Sequence, residues 1–148
     1  MFSGCAPYVC VIAKHSLAKT VYGIEINPNA HQFGLDNTKK NKLEERTKLF
    51  CGDVRSVLPR IHKKFHRIVM PLPKTADEFL PLALKYLKPG GIIHYYSFLG
   101  EEQIDTVGKE RVREICTLSK KKCRILHVRR AGQHAPYVWR VCYDVKIQ

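Results

Sequence analysis

The sequence predicts an α/β fold in which a mainly parallel sheet ends in an antiparallel hairpin. Short runs rich in valine and isoleucine alternate with helical segments, a pattern typical of parallel strands that are buried on both faces. The last two apolar runs, 122–130 and 135–147, follow each other with no helix between them, so we expect them to pair antiparallel at one edge. The 148 residues are expected to form one domain, 1–148.

The first half of the chain alternates helix and strand, and prolines mark where helices begin. Proline suits the first helical turn because its ring fixes φ and its missing N–H is not needed there. Pro7 therefore begins a helix predicted over 7–18, and Pro28 begins one over 28–41. The other elements predicted in this half are strands over 20–26, 47–51 and 65–70, with a loop and a short helix over 52–61.

The next helix has the clearest pattern in the sequence. Its apolar residues recur at helical spacing, namely Ala76, Phe79, Leu80, Ala83, Leu84 and Leu87. Thr75 and Glu78 predict a capping box at its start, and Pro81 predicts a kink. The segment "KPGG" at 88–91 predicts its end, and a strand over 92–99 and a charged helix over 102–119 lead to the hairpin.

Groups suited to a nucleotide-like ligand lie at the ends of successive strands. The turn Ser3–Ala6 follows an expected first strand that would precede Met1, and its glycine, Gly4, permits close approach of backbone to a ligand. Glu25 ends the next strand, where an acid can accept hydrogen bonds from both ribose hydroxyls or can simply be an exposed carboxylate. Asp53 ends the third, and either accepts from an adenine amino group or caps the following helix.

The order of elements separates two classes of cofactor-binding fold. A mainly parallel sheet that ends in an antiparallel hairpin is the architecture of class I, Rossmann-like methyltransferases, whereas dinucleotide-binding dehydrogenases usually continue with another helical crossover. Ala6 and Val9 occupy the second and third glycine positions of the dinucleotide fingerprint, so a nicotinamide-binding domain is disfavoured.

The charge of the chain points to a polyanionic partner. There are 26 Lys and Arg against 13 Asp and Glu, a formal net charge of +13. This excess favours nucleic acid, although a solvated basic surface is the simpler alternative. The basic residues cluster at Lys39–Lys42, His62–Lys64, Lys120–Lys122 with Arg124, and Arg129–Arg130.

The spacing of the cysteines and the hydropathy of the chain predict its cellular compartment and whether it binds a metal or a membrane. The six cysteines form no C-x-x-C pair, so we expect reduced thiols in a cytoplasmic protein and no metal site. No apolar run approaches the roughly 20 residues of a membrane span, so no membrane association is expected.

Six segments occur in a characteristic order along nearly the whole chain. They are "MFSGCAPYVCVIAK", "VYGIEINPNA", "CGDVR", "RIVMPLPKTADEFLPLAL", "LKPGGIIHYYSF" and "GQHAPYVWRVCYDVKI". Together they resemble the archaeal and eukaryotic-type tRNA (guanine-37-N1)-methyltransferases, and "EINP" and "GGIIHYY" are the most specific parts. The resemblance implies the C-terminal catalytic part of an enzyme that uses S-adenosylmethionine to methylate N1 of guanine 37 in tRNA, acting as a monomer on the anticodon loop.

The resemblance also implies roles for individual residues. The implied cofactor-binding residues are Phe2, Ser3, Gly4, Glu25, Ile26, Asn27, Asp53 and Val54. The first three would contact the methionine part, Glu25 the ribose, Ile26 the adenine, and Asp53 with Val54 the region of its amino group. Pro71, Leu72 and Pro73 would form the active-site loop beside the methyl group and the target base.

Three departures from the family pattern leave alternatives open. The family's first strand, with its acid, would precede Met1, as would the expected catalytic base and arginine. Gly4-Cys5-Ala6 replaces the usual G-x-G, and Pro71-Leu72-Pro73 replaces the common N-L-P, which removes an asparagine amide. The alternatives are a related aminocarboxypropyl transferase of wybutosine synthesis and a non-catalytic RNA-binding remnant.

Aromatic and histidine side chains near the C-terminus could stack on bases, but packing is the simpler expectation for alternating strand positions. This applies to His94, Tyr95, Tyr96 and Trp139, while His134 is expected in a loop.

Overall fold

A computed structural model describes residues 1–148, and its helices and strands alternate as the sequence predicts. The helices are α1 (Pro7–His15), α2 (Pro28–Lys40), α3 (Val54–Ile61), α4 (Ala76–Lys85) and α5 (Val107–Leu118), with short 3₁₀ helices at Glu44–Arg46 and Glu101–Gln103. The strands are β1 (Val21–Glu25), β2 (Thr47–Cys51), β3 (Phe65–Met70), β4 (Leu87–Gly100), β5 (Cys123–Ala135) and β6 (Val138–Ile147). These elements fall into two units, Met1–His62 and Lys63–Gln148.

In the first unit, β1 and β2 form a two-stranded parallel sheet. Their register places Glu25 opposite Cys51, so both strands end at the same edge. A small core of buried side chains is formed by Ala6, Val9, Ala13, Val21 and Leu43. The α1–β1 connection is fixed by the Arg46 guanidinium, which donates to the carbonyls of Ser16 at 3.1 Å and Ala18 at 2.7 Å.

In the second unit, four strands form one sheet in the order β3-β4-β6-β5. The β3–β4 pair is parallel, and the β4–β6 and β5–β6 pairs are antiparallel. The predicted C-terminal hairpin is therefore confirmed, and its two-residue turn is Pro136–Tyr137. The core side chains that are almost fully buried include Tyr95, Tyr143, Met70, Leu80, Leu84, Ile93, Val112, Val141 and Val145.

The predicted boundaries need correction in four places. The first helix ends at His15, where Ser16 N–H donates to the Ile12 carbonyl, and not at residue 18. The "KPGG" segment does not end a helix but lies inside β4, where Gly90 adopts φ +74°. The charged helix predicted over 102–119 divides into a 3₁₀ turn and α5. The penultimate strand continues to Ala135, so His134 lies in a strand and not in a loop, and the last strand begins at Val138 and not at residue 135.

The predicted capping box of α4 does not form. The Thr75 side chain makes no capping hydrogen bond, because its backbone at φ −127° and ψ 18° lies outside the extended region that an N-cap residue needs. Pro81 is accommodated inside α4, whose buried face includes Ala76, Leu80, Ala83 and Leu84. None of the five α-helices combines the length and apolar character that crossing a bilayer requires.

Candidate functional site

The turn before α1 brings backbone against the end of β1. Phe2, Gly4 and Ala6 all have left-handed φ angles of 56°, 53° and 65°. The Ser3 N–H donates to the Ile24 carbonyl at 2.9 Å, which fixes the turn beside the strand. A Cβ atom at Gly4 would meet no heavy atom within 4 Å. The backbone at Gly4 is therefore open on one side, which satisfies the first requirement for a ligand-approaching turn.

The Glu25 carboxylate joins this turn to the following helix. Oε2 accepts from Gly4 N–H at 2.7 Å, and Oε1 accepts from Asn27 N–H at 3.0 Å. The Glu25 carbonyl also accepts from Gly52 N–H at 2.8 Å, next to Asp53. Three predicted cofactor segments thus meet at one half-buried residue. Each carboxylate oxygen has a second lone pair and can accept a further donor.

Some side chains around Glu25 are free to contact a ligand, and others are buried or cap a helix. Ile26 is 63% exposed and presents an apolar surface. The Asn27 side chain caps α2, with Oδ1 accepting from Asn29 N–H at 2.9 Å and from Ala30 N–H. Val54 is 3% exposed, so only its backbone can face a ligand.

Asp53 begins α3 as its N-cap. Oδ1 accepts from Arg55 N–H at 2.7 Å, and Oδ2 lies 3.6 Å from the Arg55 guanidinium. The capping interpretation of Asp53 is therefore confirmed. Its contact with an adenine amino group stays a prediction, and the two roles are compatible because an ionised carboxylate has about four acceptor positions.

Pro71, Leu72 and Pro73 lie in the second unit, between the carboxyl end of β3 and α4. All three are half-buried. The two prolines fix φ and offer no N–H donor, so the loop is stiff and presents few polar groups. Its predicted role beside a target base remains a prediction.

A polar cluster on the face of the four-stranded sheet was missed by the sequence analysis. His94 on β4 and Asp144 on β6 are directly paired in register, and the distance between Nδ1 and Oδ1 is 2.7 Å. Cys142 Sγ lies 3.7 Å from the same oxygen, and the three donor atoms lie within 4.8 Å of one another. Strand alternation places Cys142 and Asp144 on one face, but the sequence does not reveal that His94 is opposite.

The cluster is already hydrogen-bonded within the protein. The Arg67 guanidinium lies 3.1 Å from His94 Nε2, so both ring nitrogens have protein partners. Burial raises the pKa of the Cys142 thiol to about 12, with the Asp144 carboxylate adding to the effect. A protonated thiol beside a guanidinium is a poor cation site, since metals bind the thiolate.

A second polar network joins the buried Tyr95 to partly exposed side chains of α4 and α5 in the second unit. The Tyr95 hydroxyl donates to Asp77, whose other oxygen lies 3.4 Å from the Arg111 guanidinium. Burial and this carboxylate raise the pKa of Tyr95 above its ordinary value of 10. Tyr95 is 1% and Tyr96 is 9% exposed, so the expectation that these aromatic residues pack is confirmed.

The basic residues after α5 form one exposed surface. Arg113, Lys120, Lys121 and Lys122 line a shallow, open depression together with Thr117, Cys123 and Gln148. The three lysines of the predicted cluster, Lys120–Lys122, line this depression, but Arg124 of the same cluster does not, and the structure adds Arg113 from α5.

Comparison with known proteins identifies one family and close relatives. The model of the TRM5/TYW2 methyltransferase domain matches residues 1–126. The tRNA (guanine(37)-N(1))-methyltransferase Trm5b of Methanocaldococcus jannaschii is 36% identical, over 99% of this chain and 39% of the relative. The tRNA(Phe) (4-demethylwyosine(37)-C(7)) aminocarboxypropyltransferase of the same organism is 30% identical, over 100% of this chain and 58% of the relative. The chain thus spans between 39% and 58% of these two relatives.

Solved structures agree with these similarities. M. jannaschii TYW2 in complex with AdoMet superimposes with a TM-score of 0.91 at 31% identity, over 100% of this chain and 66% of that one. The complex of aTrm5 and tRNALeu gives a TM-score of 0.82 at 33% identity, over 100% of this chain and 40% of that one. The class I methyltransferase fold predicted from the sequence is confirmed.

Proposed function

The chain belongs to the TRM5/TYW2 methyltransferase domain family, and from this premise we propose that it binds S-adenosylmethionine and transfers the methyl group to N1 of guanine 37 in tRNA. Two similarities support the two ligands. One related structure contains AdoMet and another contains a tRNA. The net charge of +13 adds an electrostatic reason for a polyanionic substrate.

The arrangement around Glu25 is the single observation that carries the proposal. One half-buried carboxylate receives the Gly4 and Asn27 N–H groups and retains acceptor capacity on both oxygens. Two adjacent ribose hydroxyls are the kind of donor pair that such a group accepts. The exposed Ile26 side chain next to it suits the face of an adenine, so the acceptor oxygens of Glu25 and this apolar surface together fit an adenosine-containing cofactor.

When bound, S-adenosylmethionine would supply an electrophilic methyl group. The chain's own residues would then position the reactants, since an in-line displacement depends strongly on alignment. Gly4 and Glu25 would hold one end of the cofactor, and the Pro71–Pro73 loop would present a rigid wall to the base. Because guanine N1 carries a proton, a base must accept it. This loop contains no titratable side chain, so that base lies elsewhere.

Aminocarboxypropyl transfer from the same cofactor is the second candidate. It is favoured by the 30% identity to the M. jannaschii aminocarboxypropyltransferase and by the TM-score of 0.91 with TYW2. The two reactions break different carbon–sulfur bonds of one cofactor, so a shared binding site is compatible with both. The Pro71-Leu72-Pro73 loop is closer to the methyltransferase pattern, and we therefore place methyl transfer first.

Calorimetric titration with S-adenosylmethionine tests the cofactor site. Glu25→Gln keeps the size of the side chain but removes its charge and one acceptor oxygen. Charge-assisted hydrogen bonds are worth about 1.5–3 kcal/mol each, so we expect affinity to fall about tenfold or more. Glu45→Gln, an exposed acid in the same unit, is the matched control and should bind as the unaltered chain does. Equal binding by Glu25→Gln would refute the assignment of Glu25.

Nucleoside analysis by mass spectrometry then tests the reaction. After incubation with tRNA and cofactor, N1-methylguanosine at position 37 is the expected product. An aminocarboxypropyl adduct would establish the second candidate instead. Binding of both ligands with no modified nucleoside would favour a non-catalytic RNA-binding role, to which the loss of the loop asparagine at Pro71 would contribute.

A further inference from the structure

The tip of the β5–β6 hairpin carries an aromatic residue whose backbone is unfavourable. Tyr137 has φ +59° in the two-residue turn Pro136–Tyr137, a left-handed conformation that Gly and Asn normally occupy in such turns. Its side chain is 78% exposed, so packing does not repay the steric cost. Because strained backbone clusters at functional sites, this conformation favours a contact role for the exposed ring.

The turn itself is held firmly. The Tyr137 carbonyl accepts from Glu101 N–H at 3.0 Å, and the flanking residues Ala135 and Val138 are paired. The ring of Tyr137 is therefore presented from a fixed backbone, and little ordering of the chain is needed when a ligand binds.

Aromatic and cationic side chains surround the tip. His134 stacks on Phe98 with ring centroids 3.9 Å apart. The Arg130 guanidinium lies 4.9 Å from the Trp139 ring and 2.7 Å from Glu101. Tyr137 and His134 are exposed, while Phe98 and Trp139 are half-buried. Aromatic rings beside a guanidinium group are found on surfaces that bind unpaired nucleic acid strands.

The tip lies at the same end of the four-stranded sheet as the Pro71–Pro73 loop, where β3 and β4 end. Strand β3 ends at Met70, which pairs with Tyr95, and β4 continues beyond that point to Gly100, which pairs with Val138. At the rise of an antiparallel strand this extension measures about 17 Å. The tip therefore stands well beyond the loop, at a distance suited to nucleotides that flank a target base and not to the base itself.

We propose that Tyr137 at the hairpin tip is a stacking platform for an unpaired nucleobase of the RNA substrate, with Arg130 close enough to contact a phosphate of the same strand. This inference rests on the proposed function, because it takes the Pro71–Pro73 loop as the site of the target base. It adds a contact to the anticodon arm made by residues that belong neither to the predicted cofactor-binding set nor to the basic surface after α5.

Replacing Tyr137 by glycine separates a binding role from a structural one. Glycine accepts φ +59° without strain, so the midpoint of thermal unfolding should stay unchanged or rise. Loss of one stacked base should weaken binding of an anticodon stem-loop RNA about fivefold or more, and Tyr137→Phe should retain most of the affinity. A lower unfolding midpoint, or unchanged RNA affinity, would overturn the proposal.

Two further readings distinguish stacking from charge. Trp139 is the only tryptophan, so its fluorescence reports on this hairpin and should change on addition of the stem-loop but not of a fully paired duplex. The loss caused by Tyr137→Gly should persist as salt is raised, whereas Arg130→Ala should reduce the salt dependence instead. A loss that disappears at high salt would contradict stacking.

The control for the proposed function is built into the same experiment. If the unaltered chain binds S-adenosylmethionine but not the stem-loop, both the RNA substrate and this inference are wrong while the cofactor site stands. If the unaltered chain binds the stem-loop and Tyr137→Gly binds equally, only the inference fails. In transfer assays the variant should raise KM for the RNA and leave kcat unchanged, because the tip does not touch the reacting atoms.

Discussion

Replacing Gly108 by alanine tests how α5 packs in the second unit. Gly108 is buried near the start of α5. A Cβ atom there would lie 1.9 Å from the Tyr143 hydroxyl oxygen, 2.8 Å from Tyr143 Cζ and 2.6 Å from Leu99 Cδ1. Helix propensity alone predicts that alanine stabilises the helix by about 1 kcal/mol. The packing around Gly108 predicts instead that alanine destabilises the protein.

The magnitude follows from the surroundings of Tyr143. The side chain is 0% exposed, and its hydroxyl donates to the Ile104 carbonyl at 2.6 Å. To reach an ordinary contact of 3.4 Å the hydroxyl must move by about 1.5 Å, which breaks that hydrogen bond. Overpacking costs about 1–3 kcal/mol and an unsatisfied buried group about 1–3 kcal/mol. After the helical gain, we expect Gly108→Ala to lower the free energy of unfolding by about 3 kcal/mol.

Urea denaturation followed by circular dichroism and Trp139 fluorescence measures this change. Gly34→Ala is the matched control, because Gly34 is also helical and buried but its added Cβ would meet no atom closer than 3.3 Å. It should be nearly neutral. Adding Tyr143→Phe to Gly108→Ala removes the closest atom, so the double variant should lose less than the sum of the single losses. A Gly108→Ala protein as stable as the unaltered chain would refute the reasoning.

Three further predictions concern the buried thiols and the first unit. Burial raises the pKa of the Cys116 and Cys142 thiols from 9.0 to about 12. Their contribution to stability is therefore complete below pH 9 and should be lost between pH 9 and pH 12. Thermal unfolding across that pH range would detect the loss. At pH 8 the exposed Cys51 should be alkylated well before either of them, as peptide mass spectrometry would show; equal rates would contradict their burial. Gly23→Ala would place Cβ 2.5 Å from Leu49 Cδ2 on the paired strand. The substitution should lower the free energy of unfolding by about 1–3 kcal/mol and weaken binding of S-adenosylmethionine. Thermal unfolding and calorimetry measure the two effects. If stability and S-adenosylmethionine affinity both stay unchanged in Gly23→Ala, β2 can shift to accommodate the added methyl group and the prediction is wrong.

Local chemistry made much of the fold predictable. Pro7 and Pro28 begin helices because proline suits the first helical turn, and both helices begin where predicted. Capping was one of the two roles predicted for Asp53, and it could be predicted because the interaction spans only two residues. The capping box at Thr75 was wrong, since its geometry depends on a backbone angle that the sequence pattern does not specify.

Strand lengths and non-local pairs were less predictable. The glycine-containing segment 88–91 resembles a helix end, yet pairing with β3 holds it in β4. The meeting of His94 with Asp144 depends on the register of two strands separated by 50 positions. No local pattern encodes that register, because several alignments of two apolar strands bury similar surfaces.

The sequence by itself determined the α/β class, the C-terminal hairpin, the basic character and the family resemblance. These features depend on periodicity, composition and residue order, which are properties of the chain before it folds. Only the tertiary structure decided that the Glu25 carboxylate receives the turn at Gly4, that Tyr95 is buried against Asp77, and that Tyr137 stands exposed in a left-handed turn. Each of these depends on a distance or a backbone angle set by contacts between distant segments.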